Sequence, residues 1–322
     1  MTDLSQTVSE ASSLTILGGG VWGCALASLA QLNGHQIKIW SRQGALTLED
    51  AIAPPLICDC TPVIVMAIAM KGIQELATQL QSKTLSPDTI IVSATKGLDP
   101  TTWQTPSQIW RSKFPENPIV VLSGPNLSKE IDQGLPTATV VASENKAAAA
   151  IVQRLFASES FRVYTNTDRL GTELGGTLKN VVAIAVGVCD GLQLGQNARA
   201  ALITRSLPEI IQVGTLLGGR EETFYGLSGL GDLLATCTSP LSRNYQVGYQ
   251  LAQGKTLDEI LAHLQGTAEG VNTAHVLIGL AEQRQITVPI AQQVHRLLNA
   301  QITPQEAVEA LMERRLKPEV SL

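Results

Sequence analysis

The stretch LTILGGGVWGCALASLAQLNGHQIKIWSR, residues 14–42, reads in order as a strand, a glycine turn, a helix and a second strand. LTIL is a short apolar run of the kind that forms a buried parallel strand. Good helix formers at 25–32 lead to Asn33-Gly34, a pair that often ends a helix, and Ile37–Trp40 resumes a strand. The stretch therefore predicts a complete βαβ unit.

Three glycines follow the first strand at the spacing GxGxxG, namely Gly18, Gly20 and Gly23. The first permits a tight turn, the second lets the backbone approach a pyrophosphate, and the third lets the helix pack close to the strand. Amides at the helix start would then face the phosphates. Glycine-rich loops are common, so the motif alone is weak evidence. Here a strand and a helix flank it in the required order, which predicts a Rossmann dinucleotide-binding domain.

The second strand of this unit ends in Ser41-Arg42. NAD-preferring domains of this type carry an acidic residue there, which accepts a hydrogen bond from the ribose 2′-hydroxyl, whereas a cation favours the 2′-phosphate of NADP. We therefore expect NADP(H) as the preferred cofactor, with NAD(H) as a second possibility. The alternative is that Arg42 is a solvated loop arginine.

The composition is that of a soluble globular protein: 322 residues, 44% hydrophobic and 16% charged, enough for two domains. The formal charge is −5 and no basic cluster occurs, so we expect neither nucleic acid nor an anionic membrane as partner. We expect no signal peptide or membrane span, since the N-terminus is polar and the apolar runs are shorter than ~20 residues. Five scattered cysteines and four histidines without metal spacing predict a cytoplasmic protein without a metal site.

Strand and helix patterns alternate up to about residue 166. Further strands are predicted at 61–69, 88–98, 118–125, 137–143 and 161–166. Later residues predict helices at 168–188, 197–217, 244–253, 256–264, 270–284, 288–299 and 304–315, with a glycine-rich turn at 226–231. We therefore predict an α/β Rossmann domain with a doubly wound, mostly parallel sheet over 12–166, and an all-α substrate and catalytic domain over 167–322.

Three segments of the helical half place charges beside small residues: ELGGTLKN (173–180), GLGDLLAT (229–236) and SRN (242–244). Gly175 and Gly176 each cost about 1 kcal/mol in a helix relative to alanine, yet they lie one turn before Lys179. We interpret them as permitting a close approach. The alternative is ordinary helix packing, with Lys179 extending outward to solvent.

Asp232 and Thr236 are four residues apart and share one face of a helix. Ser242 caps the start of the next helix, followed by Arg243 and Asn244. An acid, a hydroxyl and a guanidinium in so short a span predict a polar pocket. The alternative is a solvated pair of Asp232 and Arg243 on the surface.

In the first half, Lys96 and the turn SGPNLSKE (123–130) follow strands, where the ligand crevice is expected. In order, GGGVWG, SATKGL, SGPNLSKE, ELGGTLKN, GLGDLLATC and SRN resemble, over nearly the whole chain, the soluble NAD(P)-dependent glycerol-3-phosphate dehydrogenases of bacterial type. The resemblance implies reversible reduction of dihydroxyacetone phosphate to sn-glycerol 3-phosphate, the entry to glycerophospholipid synthesis. It also implies that Lys179 is the catalytic lysine, and that a homodimer is possible.

The resemblance also assigns binding residues by position. Substrate-binding positions match Lys96, Gly124, Asp232, Ser242, Arg243 and Asn244, supported by Asn180 and Thr236. Cofactor-binding positions match Val21, Trp22, Arg42, Ser128, Arg243 and Glu269, beside Gly18, Gly20, Gly23 and Lys96. The chain departs from the family in a much shorter segment between Arg42 and Thr61, and in AIAMK (67–71), which replaces a proline-serine turn.

Reducing a ketone requires a positive charge and a proton at the developing alkoxide. A lysine ammonium supplies both if desolvation lowers its pKa toward neutrality. Asp232 could hold Lys179 or a substrate hydroxyl, while Arg243 and Asn244 would bind the phosphate, and no metal is required. Two alternatives remain open at this point. One is another lysine-dependent two-domain NADP reductase, of the β-hydroxyacid or ketopantoate type, and the other is a non-catalytic NADP-binding sensor.

Overall fold

The structure is a computed structural model that describes residues 13–42, 44, 63–83, 85–264, 266–316 and 318. The first part of the chain forms a seven-stranded sheet, and the remainder is helical. The strands β1 to β7 span Ser13–Leu17, Gln36–Trp40, Val63–Met66, Ile90–Ser93, Ile119–Ser123, Thr137–Ala142 and Phe161–Asn166. Every strand predicted from the sequence is present.

The strands lie in the order β2-β1-β3-β4-β5-β6-β7. All neighbouring pairs are parallel except β5 and β6, which confirms the doubly wound, mostly parallel sheet. The central strands β3, β4 and β5 are buried along their whole length, which is why they appear as continuous apolar runs. The chain reverses its direction of travel across the sheet between β1 and β3. Ligands bind beyond the carboxyl ends of strands at such a switch point.

Among the described residues, five helices flank the sheet. Helices α1 to α5 span Val21–Leu32, Ile73–Gln81, Pro106–Lys113, Ser128–Asp132 and Lys146–Phe156, and a 3-10 turn at Met70–Gly72 precedes α2. One apolar core joins α1 and α5 to the sheet, and a second core joins α2 and α3. Neither α3 nor α4 is predicted from the sequence. A start signal for α3 does exist, because Thr105 and Gln108 form a capping box around Pro106.

Two residues separate β7 from the first helix of the helical half. Helices α6 to α14 span Arg169–Gly191, Gly195–Leu216, Glu221–Phe224, Asp232–Cys237, Arg243–Ala252, Leu257–His263, Glu269–Arg284, Pro289–Leu298 and Pro304–Met312. Helix α6 is the centre of this half. It packs closely along α10 because each helix has a glycine at the contact, and a Cβ on Gly187 or Gly248 would collide with the backbone of the other helix. By length and composition α6 is the one helix of the described residues that could cross a membrane, but 89% of its most apolar window is buried inside the fold.

The predicted glycine-rich turn at 226–231 is a π-helical turn at Leu227–Gly231 that leads directly into α9. This turn packs closely against the end of α8, since a Cβ on Gly229 would collide with the backbone of Phe224. The turn fixes the start of α9 and thereby the position of Asp232.

Candidate active site

The glycine loop after β1 has the geometry that a dinucleotide phosphate requires. Gly18 has a φ of 131°, and a Cβ there would collide with the carbonyl of Ala67. A Cβ on Gly23 would collide with the Gly18 carbonyl, so this glycine lets α1 lie against the turn. Gly20 faces open space, with nothing within 4 Å of its would-be Cβ. Helix α1 begins at exposed Val21 without a side-chain cap, which leaves its first amides available to an anion.

Other predicted cofactor positions surround this loop. The indole of Trp22 donates a hydrogen bond of 3.0 Å to a carbonyl just after β4, which ties the start of α1 to that strand. Ser41 lies against Gly19, so the exposed Arg42 follows directly beside the loop. Ser128 begins α4, which packs against α1. The open glycine, the free amides and the adjacent guanidinium fit the phosphates of a dinucleotide.

A buried ion cluster lies where the sheet meets the helical half. Lys179 Nζ is 2.9 Å from Asp232 Oδ1, and Lys96 Nζ is 2.5 Å from Asp232 Oδ2. Lys179 also donates to the Thr236 hydroxyl, which in turn donates to Asp232 Oδ1 at 3.2 Å. Lys96 donates to the Gly124 carbonyl at 3.1 Å. One carboxylate therefore holds two ammonium groups, one from each half of the chain.

The environment of Lys179 favours proton transfer. Its side chain is 7% exposed and that of Asp232 is 3% exposed, whereas Lys96 keeps 21%. The pKa of Lys179 is lowered to about 8: burial is the largest influence, Asp232 acts in the opposite direction, and the charge of Lys96 also lowers it. A lysine extended outward to solvent, the alternative from the sequence, is therefore wrong.

Two glycines bring α6 to this cluster, as the sequence predicts. A Cβ on Gly175 would lie 2.8 Å from the carbonyl oxygen of Ser228 in the π-helical turn. A Cβ on Gly176 would collide with the hydroxyl of Ser123 at the end of β5. The close approach therefore involves two different elements, and it allows Lys179, one turn further along α6, to reach Asp232.

The start of α10 carries the predicted phosphate-binding residues. Ser242 caps the helix, with its hydroxyl accepting from the amide of Tyr245 at 3.3 Å. Arg243 is exposed, and within the described part of the chain nothing hydrogen-bonds or ion-pairs with its guanidinium. The surface pair of Asp232 and Arg243 is wrong, because Asp232 binds the two lysines instead.

Asn244 and Asn180 are brought together through Gly270. The Asn244 Oδ1 accepts from the Gly270 amide at 2.9 Å, and a Cβ on Gly270 would lie 2.6 Å from the Asn180 carbonyl. Since Oδ1 is occupied, the amide group of Asn244 remains a donor for a ligand. Both asparagines are buried.

Glu269 connects the helical half to the loops of the sheet. Its Oε1 accepts from the Met70 amide at 3.1 Å, and a Cβ on Gly97 would lie 3.3 Å from Oε2. Burial raises the pKa of Glu269, while this amide and the nearby Arg243 lower it. The segment AIAMK, which departs from the family pattern, thus contacts the helical half at Met70.

Sequence reasoning gave no role to Glu173 or Thr177, although both stand in the quoted ELGGTLKN segment. Both are buried. Glu173 accepts a hydrogen bond from Ser93 at the end of β4, and Thr177 accepts one from Gly97 in the loop that follows β4, the β4 loop. A usable signal was present, since Glu173 is one of only two acidic residues in α6.

Some expectations concern residues outside the described part, namely the N-terminal tail at 1–12, the shortened segment before Thr61, and Cys58 and Cys60. Among the described residues, Cys24, Cys189 and Cys237 are free thiols, and no group of three or more His, Cys, Asp or Glu side chains could hold a metal ion.

A phosphate-binding glycine loop beside a buried lysine–carboxylate cluster defines a nicotinamide-dependent dehydrogenase. The family model for the N-terminus of NAD-dependent glycerol-3-phosphate dehydrogenase matches residues 13–52 and 56–149, and the model for the C-terminus matches 168–309. The chain belongs to this family.

Individual relatives agree with this assignment. A glycerol-3-phosphate dehydrogenase [NAD(P)+] from Acaryochloris marina is 68% identical over 308 residues, covering 96% of this chain and 97% of that protein. One from Trichormus variabilis is 61% identical over 310 residues, covering 96% and 99%. The crystal structure of glycerol-3-phosphate dehydrogenase from Coxiella burnetii aligns with a TM-score of 0.88 at 33% identity, covering 94% of this chain and 99% of that one.

Family membership confirms several predictions. The protein is an oxidoreductase with a Rossmann sheet followed by a helical half, and its cofactor class is NAD(P). The comparisons do not favour a reductase of the ketopantoate type or a non-catalytic sensor.

Proposed function

We propose that this chain reduces dihydroxyacetone phosphate to sn-glycerol 3-phosphate with NAD(P)H, reversibly, and so supplies glycerophospholipid synthesis. The observation that carries the proposal is the buried cluster of Lys179, Asp232 and Lys96. It lies beside the carboxyl end of β4, at the same edge of the parallel strands as the glycine loop after β1, where a substrate and a dinucleotide can meet. The names of the relatives and the family models support the same reaction.

Lys179 is the proton donor in this proposal. When bound, a reduced nicotinamide supplies hydride to the carbonyl carbon, and the carbonyl oxygen then accumulates negative charge. As the carbon–oxygen π bond breaks, an N–H bond of the Lys179 ammonium breaks and a new O–H bond forms. With a pKa of about 8, Lys179 is mostly protonated at neutral pH and yet gives up its proton easily. Asp232 holds Nζ in place during this step.

Lys96 keeps the second positive charge near the reacting oxygen. Its ammonium is fixed by Asp232 and by the Gly124 carbonyl, and its partial exposure leaves one side open to the crevice. We propose that it binds the substrate oxygens without giving up a proton.

The phosphate of the substrate would be bound by Arg243 and Asn244. The Arg243 guanidinium is exposed and can form two parallel charge-assisted hydrogen bonds. Asn244 offers its amide N–H groups, since its oxygen already accepts from Gly270. Asn180 lies against the same glycine and would support this site.

Arg42 supports a preference for NADPH over NADH. It is exposed immediately after β2, beside the glycine loop, where a 2′-phosphate of the adenosine ribose would lie. We propose residues 12–166 as the dinucleotide-binding domain and residues 167–322 as the catalytic domain. β7 ends at Asn166 and Asp168 caps α6, which supports a boundary at this point.

We also propose that the enzyme is a cytoplasmic homodimer that acts on a small triose phosphate and binds neither nucleic acid nor membranes. The net charge of −5 and the scattered cysteines support this location and these partners. Light scattering after size-exclusion chromatography tests the dimer, and a monomer at micromolar concentration would contradict it.

The decisive experiment is a steady-state comparison of ketones with NADPH. We expect turnover of dihydroxyacetone phosphate and at most weak turnover of dihydroxyacetone, ketopantoate or a β-keto acid. Ketopantoate as the better substrate would support the other reductase class. Tight NADPH binding without any turnover would support a sensor.

A further inference from the structure

Glu173 is a buried carboxylate on α6 that takes no part in the reaction described above. It is 1% exposed. Its Oε1 accepts from the Ser93 hydroxyl at 2.9 Å, and both of its oxygens accept from the Ser107 amide, at 3.0 and 3.2 Å. The Ser107 hydroxyl donates to Oε2 at 2.5 Å. Ser93 ends β4 and Ser107 lies in the first turn of α3, so Glu173 joins the helical half to the sheet.

A second tie lies one turn further along the same face of α6. Thr177 accepts a hydrogen bond of 3.1 Å from the amide of Gly97. The two ties therefore bracket the loop that carries Lys96.

The chain of contacts returns to α6 through the active site. Lys96 ion-pairs with Asp232, Asp232 ion-pairs with Lys179, and Lys179 stands on α6. The loop after β4 is thus held against α6 at three points. Glu173 holds its start, Thr177 holds Gly97, and Asp232 links Lys96 to Lys179. A shift of the loop along α6 would separate the two ammonium groups from their shared carboxylate.

The chemistry at Glu173 suits orientation better than stability. Burial raises the pKa of Glu173, while hydrogen bonds from Ser107, Thr105 and Ser93 and the charge of Arg169 lower it. Arg169 donates to the Ser107 hydroxyl, so a positive charge lies one hydrogen bond away from the carboxylate. Burying a carboxyl group of this kind is costly compared with apolar packing, but its directional hydrogen bonds specify one geometry.

We propose that Glu173 is a positioning residue, which fixes the β4 loop on α6 so that Lys96 and Lys179 share the Asp232 carboxylate. This inference rests on the proposed role of Lys179 as proton donor. The charged and titratable groups that act on Lys179 are Lys96 from the β4 loop and Asp232 and Cys237 from α9. If the loop withdrew, Lys179 would lose the neighbouring cation and keep the whole carboxylate, and both changes raise its pKa.

The test compares two buried carboxylates, one on α6 and one at its N-cap. Glu173→Gln keeps the size of the side chain but cannot ionise. It also replaces one acceptor oxygen with an NH2 group, which would face the donors of Ser93 or Ser107. The matched control is Asp168→Asn. Asp168 caps α6 and accepts from the amides of Gly171 and Arg220, at 2.9 and 2.8 Å, and from the Thr223 hydroxyl at 2.6 Å. All of these donors lie within the helical half.

We expect both variants to lower Tm, but only Glu173→Gln to change catalysis. Its kcat should fall about tenfold to a hundredfold, as misplacement of reacting groups by about 1 Å does. The alkaline limb of its kcat–pH profile should move up by about one pH unit, because Lys179 loses a cation and gains undivided contact with Asp232. Asp168→Asn should keep the wild-type limb and kcat.

A second measurement does not depend on turnover. With lysine labelled with ¹³C and ¹⁵N at the side-chain terminus, the Lys179 signal is assigned by its absence in Lys179→Ala and titrated by NMR. The pH at its titration midpoint should be higher in Glu173→Gln and, by less, in Ser93→Ala. If Glu173→Gln does not fold, Ser93→Ala provides the test. A lower kcat with an unmoved limb and midpoint would overturn the inference. If the wild type does not reduce dihydroxyacetone phosphate, the proposed function fails while the NMR midpoint still decides the role of Glu173.

Discussion

The two sets of cations in this protein differ in their surroundings. Lys179 and Lys96 are held by a buried carboxylate, and each forms a further hydrogen bond. Arg243 and Arg42 are exposed, and neither bonds to another described side chain. The difference indicates a separate role for each set of cations. Burial lowers the pKa of Lys179 to about 8 and suits this lysine for proton transfer, whereas an exposed guanidinium stays charged and suits an anionic group of a ligand.

This contrast also explains why the buried lysines ion-pair with a carboxylate, whereas Arg243, although Glu269 is nearby, forms no ion pair within the described residues. Two ammonium groups in a dry site repel each other and would be costly without a counter-charge. Asp232 supplies it by giving one oxygen to each lysine. For an arginine that binds phosphate, a protein carboxylate would be a competitor.

The largest expected effect belongs to the buried set. Lys179→Ala removes the proton donor and should lower kcat by about 10²–10⁴, the usual loss for a positioned general acid, with a smaller effect on cofactor affinity. Steady-state kinetics with dihydroxyacetone phosphate, together with NADPH fluorescence titration, measures both quantities. The exposed Lys146, at the start of α5, provides the control variant Lys146→Ala. Near-normal turnover in a folded Lys179→Ala protein would remove this lysine from the mechanism.

The next effect concerns Arg243 in the exposed set. Charge-assisted hydrogen bonds to the phosphate are worth about 1.5–3 kcal/mol each. Arg243→Ala should therefore lower kcat/KM for dihydroxyacetone phosphate on the order of 10- to 100-fold. Dihydroxyacetone, which lacks the phosphate, should lose almost nothing, and this difference between substrates is the measurement.

The matched variant Arg243→Lys should recover only part of the loss, because an ammonium restores the charge but not the planar fork. An arginine in a surface salt bridge would instead contribute roughly 0–1 kcal/mol to stability and leave the kinetics unchanged. Equal losses toward both ketones would show that Arg243 does not bind the phosphate.

A smaller effect is expected at Arg42, which acts on the cofactor alone. Arg42→Asp should reverse the preference for NADPH, since a carboxylate repels the 2′-phosphate and accepts from the 2′-hydroxyl of NADH. We expect the ratio of kcat/KM values for the two cofactors to change at least about tenfold, the equivalent of 1.4 kcal/mol. Arg154→Ala, at an exposed arginine near the end of α5, is the control. Equal kcat/KM values for both cofactors in the wild type would contradict the role of Arg42.

The contrast also shows what the sequence could predict. All seven strands were predicted, since β3, β4 and β5 are continuous buried apolar runs and β7 alternates buried and exposed residues. The glycine loop was predicted because backbone geometry at Gly18 and Gly23 admits no other residue. Lys179, Asp232 and Thr236 were identified individually. Helix α3 was missed because a buried helix of eight residues shows little periodicity, although its capping box was readable.

The contacts between the two halves could not be predicted. That Asp232 would hold both Lys179 and Lys96 depends on how α9 meets the β4 loop, 136 residues earlier in the chain. The role of Glu173 depends likewise on Ser93 and Ser107, and no local pattern connects them. Such pairings are set by tertiary packing, and the spacing of residues along one element carries no information about them.

The smallest effect, and the sharpest test of the buried set, is the pH dependence. Reduction requires protonated Lys179, so its kcat should fall as pH rises through about 8, with only about a twofold loss between pH 7 and pH 8. Oxidation of glycerol 3-phosphate requires the neutral amine, so its kcat should rise over the same range. Asp232 raises the pKa of Lys179, and Asp232→Asn should therefore move both limbs to lower pH. Arg243→Ala should leave both limbs in place, because Arg243 is not among the groups that act on this lysine. Two results would contradict this separation of the two sets of cations. One is a limb that moves in Arg243→Ala, and the other is a limb that stays fixed in a folded Asp232→Asn protein.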